Sequence, residues 1–261
     1  MAEFRIEIAG KVAAVSSMFE STRDYCRCYL TEKAPDLSIA VTREDLGFEQ
    51  NWLREEARQE GLRPRVFSEP FLERAAIQRK LAEYLFGHGI LMLHGSAVAA
   101  DGEGYLFTAK CGTGKSTHTR LWREVLGDRA VMVNDDKPFL KITDHGVGIC
   151  GSPWSGKHGL DTNITVPLKG ICILQRGKEN RIRRLEPEEA LPMLLQQSYQ
   201  PLDPDKQPEL RKLLETLAEK TALWRMECTK DPQAAVTAFA AMSAEKTNDG
   251  TEEQHVSKMR N

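Results

Sequence analysis

The stretch Ala109-Lys110-Cys111-Gly112-Thr113-Gly114-Lys115-Ser116 most constrains what this chain can fold into. It fits the pattern of a phosphate-binding loop, with Ala109 where the first glycine usually stands. An apolar run, Tyr105-Leu106-Phe107, comes just before it and a helical pattern just after. Strand, loop and helix in that order let successive backbone N–H groups face an anion at the positive end of a helix. Gly112 and Gly114 allow the backbone to approach phosphate without a Cβ in the way. Lys115 is placed for the β- and γ-phosphate oxygens, and the Ser116 hydroxyl for Mg²⁺. Ala109 to Thr117 are therefore the expected nucleotide-binding residues, for a triphosphate with Mg²⁺.

With 261 residues the chain can bury a sizeable core, in one large domain or one with an appendage. A net charge of −2 gives no bulk signal for nucleic acid. No apolar run reaches the length of a membrane span. Met1-Ala2-Glu3-Phe4-Arg5 lacks the apolar region of a secretory signal, and the six cysteines are scattered. Reduced, mostly buried thiols in a cytoplasmic protein are expected.

Three segments are expected. Residues 1–67 form a small α+β region: Phe4, Ile6 and Ile8 alternate with charged residues as a strand does, Leu37 to Val41 reads as a second strand and Leu46 to Ala57 as a helix. Residues 68–242 form the main α/β domain, and 243–261 a disordered polar tail. Ser68 caps a helix over Glu69 to Phe86, with Phe71, Ala75, Leu81 and Leu85 among its apolar positions. Ile90 to Leu93, Ala97 to Ala100 and the run before the loop read as strands, with a hairpin turn at Asp101-Gly102. The helix after Lys115 presents Leu121, Trp122 and Val125, and Ala130 to Val133 is a buried strand. A hairpin turns around Asp144-His145-Gly146. Ile171 to Leu174, Arg181 to Leu185 and Ala222 to Cys228 read as strands, and Glu188 to Gln197, Glu209 to Lys220 and Pro232 to Met242 as helices.

A phosphate loop needs a carboxylate near the metal and, for transfer, a base. Asp135-Asp136 follows the strand after the loop's helix, and ligands gather at the carboxyl ends of strands in α/β sheets. One carboxylate is suited to Mg²⁺ and the other to accepting a hydroxyl proton. His94 follows an apolar strand, and its residues alone leave it open between packing and ligation. Gly151 to His158 reads either as a substrate loop, with Lys157 a phosphate clamp and Trp154 a packing wall, or as a structural turn whose Trp154 plugs the core. Asn163, Arg176 and Arg181 are weaker candidates.

His94-Gly95-Ser96-Ala97-Val98, the loop, and Asn134-Asp135-Asp136 together resemble the HPr kinase and ATP-dependent phosphoenolpyruvate carboxykinase group, over roughly residues 88 to 175. Carboxykinases carry His-Cys-Ser-Ala, Gly-Thr-Gly-Lys-Thr-Thr and Gly-Asp-Asp in this order, and HPr kinases carry His-Gly before the loop and Asp-Asp after it. The stretch from Gly151 to Lys169 is similar to smaller relatives of HPr kinase, some of which phosphorylate a serine of a peptide or protein. The resemblance implies a P-loop kinase core of that type with a mixed sheet. It assigns Asp135 as base, Asp136 and Ser116 to the metal, Lys115 to the phosphates, and His94 to metal or phosphate. It also implies a peptide or protein serine, or a small hydroxyl compound, as acceptor, and admits a homo-oligomer.

The chain departs from the group at Ala109. It is too short for a full carboxykinase, and it lacks the HPr kinase C-terminal signature, which argues against HPr as acceptor. An ATP-binding regulator and a carboxykinase-like enzyme are the competing functions.

Overall fold

A computed structural model describes residues 2–59, 61 and 63–244. Its first element, β1 (Ala2–Ile8), buries Phe4, Ile6 and Ile8 and exposes Glu3 and Arg5, as alternation requires. It pairs antiparallel with β2 (Lys11–Ser17), which pairs parallel with β3 (Leu37–Ala40). Neither β2 nor the short helix α1 (Glu20–Tyr25) is expected from the sequence. Lys11–Ser17 consists mainly of Val, Ala and Ser, and its partner on each side supplies most of the reason it is a strand. Helix α2 (Arg43–Gln59) is longer than expected at both ends.

Helix α3 (Glu69–Phe86) has the expected bounds, but the expected cap is corrected: the Ser68 side chain makes no capping hydrogen bond, and its carbonyl accepts from the N–H groups of Phe71 and Leu72. The buried face of α3 departs from the expectation only in the first turns, and Leu81 and Leu85 are buried as expected. Phe71 is 39% exposed and Ala75 half-buried, whereas Leu72, Ala76, Ile77, Leu81 and Leu85 pack inward. Glu73 sets this rotation: fully buried, it accepts from the Met18 N–H and the Thr22 hydroxyl and draws its side of the helix against α1. The inward residues share one apolar cluster with Ile6, Val15 and Ile39 of the three-stranded sheet. Phe139 and Trp154, from the second half of the chain, belong to the same cluster.

The larger sheet has nine strands. They are β4 (Ile90–Met92), β5 (Ser96–Ala100), β6 (Glu103–Thr108), β7 (Ala130–Asn134), β8 (Phe139–Thr143), β9 (Gly146–Cys150), β10 (Thr165–Arg176), β11 (Arg181–Arg184) and β12 (Ala222–Cys228). β5 and β6 form a hairpin across Asp101-Gly102, whose φ values of 52° and 84° suit a two-residue turn. β8 and β9 form the other expected hairpin. β10 is longer than its apolar centre suggests. Its first residues pair antiparallel with β9, and after an irregularity at Leu168/Gly170 it runs parallel between β6 and β12.

β5 is antiparallel to both β6 and β7, so β6, β7, β10 and β12 all run in one direction. Their carboxyl ends, and the residues just before β5, therefore meet at one rim.

Helices cover both faces. α4 (Lys115–Leu126) and α7 (Gln233–Ser243) pack with Val98, Tyr105, Phe107 and Trp224. α5 (Pro187–Gln197) and α6 (Gln207–Lys220) pack with Leu106, Ile171 and Ile173, the alternate side chains of the same strands. This mixed α/β sandwich agrees with the expected class. In α4, Leu121 and Trp122 are buried as expected, but Val125 is exposed and Leu126 makes the last-turn contact. The tail expected beyond Ser243 lies outside the described residues from 245 onward. Among the described residues, no helix is long and apolar enough to cross a membrane.

Candidate functional site

The loop between β6 and α4 is a left-handed cradle. Gly112 and Gly114 have φ of 72° and 122°, which other L-residues rarely adopt. A Cβ on Gly112 would meet no atom within 4 Å, so its inner side is open. Ala109 is fully buried, and among the described residues the non-glycine residues at positive φ are Ala9 and Asp101. The first loop position therefore requires only a small side chain. Lys110, Cys111 and Ser116 are exposed, and Thr113 and Thr117 half-buried.

Lys115 is 9% exposed, and its Nζ donates to the Ala109 carbonyl at 3.2 Å, bridging the loop. Burial lowers its pKa, while Cys111, Asp136 and Asp135 pull it back up. Phosphate oxygens are stronger acceptors for an ammonium than one carbonyl.

Asp135 and Asp136 follow β7 at the same rim and diverge. Asp135 is 7% exposed and accepts from the Ser96 hydroxyl at 2.6 Å. Ser96 also bonds the Thr119 hydroxyl at 2.7 Å, which ties the carboxylate to the first turns of α4. The Asp136 side chain is 34% exposed and lies 3.3 Å from His94 Nε2. Burial lowers the His94 pKa, with Lys137 and Lys115 adding to it against Asp136. Burial pushes the Asp136 carboxyl up, but the His94 hydrogen bond, Lys137 and Lys115 outweigh it and leave the pKa below the usual range. A neutral His94 donating to an ionised Asp136 satisfies both directions. The Asp136 carboxylate, held by His94, offers an oxygen ligand, and the open Ser116 hydroxyl lies on the adjoining loop. Mg²⁺ commonly takes one or two protein oxygens and completes its shell with phosphates and water, so this set fits Mg²⁺ held together with a triphosphate. Among the described residues no cluster of three or more His, Cys, Asp or Glu forms an all-protein metal cage.

Asn134 fixes the turn that carries Asp136. Fully buried, its Oδ1 accepts from the N–H groups of Asp136 at 2.8 Å and Lys137 at 2.6 Å. Its Nδ2 donates to the Ser152 carbonyl at 2.7 Å and the Trp154 carbonyl at 3.3 Å. The segment after β9 is thereby tied to the end of β7. Gly156, at φ 68°, sits so close that a Cβ there would lie 3.3 Å from the Asp136 Cβ.

The expected substrate loop divides into two parts. Trp154 is buried in the cluster with α3, and its Nε1 donates to the Arg74 carbonyl at 2.9 Å. It is core, and the expectation of a substrate wall there is corrected: the side chain is buried among the residues that α3 packs against the first sheet. Lys157 is exposed on the turn Gly156–His158, beside the glycine that covers Asp136. Among the described residues no hydrogen bond or ion pair holds it.

Of the weaker candidates, Arg176 stands at the end of β10 and its guanidinium donates to the Gly112 carbonyl of the loop. Asn163 donates to the Cys28 carbonyl at 3.0 Å, joining the N-terminal region to the segment before β10. Arg181 pairs with Glu179 at the surface. Ser96 and Asn134 stand in the motifs without a role of their own, and Thr119, Lys137 and Asp161 are not singled out by the sequence. Asp161 receives the Tyr29 hydroxyl at 2.8 Å and the Ser155 hydroxyl at 2.6 Å. For Ser96 the signal is its position two residues after His94.

No protein-family model matches this chain, and no curated protein matches it in sequence. Among solved structures, that of the Hpr(Ser) kinase/phosphatase from Coxiella burnetii aligns with 49% of this chain and 93% of that chain, at 15% identity and a TM-score of 0.29. The likeness is distant and concerns the fold alone.

Proposed function

We propose that this chain is an ATP-dependent phosphotransferase that moves the γ-phosphoryl group to a hydroxyl acceptor, a serine of a peptide or protein being the foremost class. The observation that carries this reading is the meeting of the glycine cradle, Lys115 and the Asp135–Asp136 pair at one rim of the sheet. Bound ATP·Mg²⁺ supplies the phosphoryl group and neutralises part of its charge. The loop amides and Lys115 hold the phosphates, and Ser116 and Asp136 hold the metal with His94 beside them. Asp135, oriented by Ser96, takes the hydroxyl proton. Lys157, free on its exposed turn, steadies the charge of the transferred group.

The burial of Asp135 favours a second reading, an ATP-binding regulator without transfer. Labelled phosphate from γ-labelled ATP, offered with Mg²⁺ to proteins encoded beside this gene and to serine peptides, separates the two. Asp135→Asn is expected to lower transfer by about 10²–10⁴ with nucleotide affinity kept, and Asp136→Asn to raise the Mg²⁺ needed. Equal loss of transfer and binding in Asp135→Asn overturns its role as base. If instead Asp136→Asn abolishes transfer at saturating Mg²⁺, the more exposed carboxylate is the base. Tight ATP binding with no labelled product across the panel supports the regulator.

A further inference from the structure

A cleft of about 380 Å³ opens beside the phosphate loop, between the start of α4 and the carboxyl ends of β10 and β12. Its walls include Thr117, His118, Leu121, Arg176, Thr229 and Lys230, and it shares Gly114 with the loop. A nucleoside joined to phosphates in the cradle fits a space of this size and position.

One wall residue carries an unmet demand. His118 is 2% exposed, edge-on to the Phe107 ring at 4.5 Å. Trp122 Nε1, which can only donate, donates to His118 Nε2 at 3.2 Å. The Nε2 lone pair is thus committed, and the ring hydrogen stands on Nδ1. Among the described residues Nδ1 has no partner. Buried donors in native proteins are nearly always paired, and an exception needs a cause. Arg176 is already engaged with the Gly112 carbonyl.

We propose that this cleft receives the purine base of the nucleotide and that His118 reads it by donating its Nδ1 hydrogen to a ring nitrogen. This rests on the nucleotide reading of the loop. Adenine offers ring-nitrogen acceptors at its edges, and a base held here lies one ribose from phosphates on Gly112 and Gly114.

The test is displacement of a ribose-labelled fluorescent ATP from the full chain with Mg²⁺. The competitors are ATP, CTP, inorganic tripolyphosphate, and three ATP analogues in which N1, N3 or N7 of the base is replaced by carbon. One analogue is expected to bind about tenfold more weakly than ATP and the other two to match it. CTP and tripolyphosphate are expected to be weaker than ATP by about tenfold or more. In His118→Phe, which keeps a ring against Phe107, the weakened analogue and ATP are expected to bind alike. The analogue series in the unmutated chain decides the matter even if that variant does not fold. Three analogues equal to ATP, or CTP or tripolyphosphate equal to ATP, overturn the proposal and leave the phosphate loop standing. Failure of both labelled ATP and tripolyphosphate to bind overturns the nucleotide reading and the cleft's role with it.

Discussion

Single side chains at the rim act through what they leave open. Cys111 is exposed on the loop itself, where a bound triphosphate would cover it, while Cys28 is exposed in the N-terminal region. ATP·Mg²⁺ is therefore expected to slow alkylation of Cys111 by N-ethylmaleimide and to leave Cys28 unaffected, as read by peptide mass spectrometry. Equal rates with and without nucleotide would count against the loop as the binding site.

The loop motif and the Asp135-Asp136 pair are legible because their residue types are rare in such order. Ser96, Thr119 and Asn134 are not, since they are ordinary polar residues until strand pairing sets Ala97 opposite Asn134 and brings α4 over both. The same limit leaves Trp154 open between wall and core, since its place depends on the carbonyl of a residue 80 positions earlier.

At the scale of elements, local signals and long-range pairing split the outcome. α3 and β12 have their expected bounds because proline placement and apolar runs are local. At its start α3 buries Leu72 and Ala76 in place of Phe71 and Ala75, because Glu73 meets partners 51 and 55 residues away. Only the centre of β10 is legible as a strand, since its outer residues become one by pairing with β9 and β12. The junction of β7 with the segment after β9 depends on Asn134. Asn134→Ala orphans two backbone N–H groups and two carbonyls, and a loss of about 3 kcal/mol of stability is expected. A urea midpoint moving down with unchanged slope would show it. A loss under about 0.5 kcal/mol would mean that water replaces the amide without strain.

For the whole molecule, the expected boundary at residue 67 is crossed by apolar packing. α3 closes the core of the first sheet and also meets Phe139 and Trp154 of the larger part. Removing residues 1–67 strips β1, β2 and β3 from Leu72, Ala76, Ile77 and Leu81. The truncated chain is expected to aggregate or to bind a hydrophobic dye strongly, with the full chain as control. A soluble, nucleotide-binding fragment would show that the two parts fold independently.

Because four strands run one way, the polarity of the sheet separates its two rims. The Asp144-His145 turn is exposed and lines an opening with Glu103 and Ala222, the starts of β6 and β12. A short peptide tag inserted between Asp144 and His145 is expected to leave nucleotide affinity within about twofold of the parent, measured by the same fluorescent displacement. That rim is a handle: a place where the molecule can be tethered to a surface or a dye while the opposite rim stays free to meet its ligands.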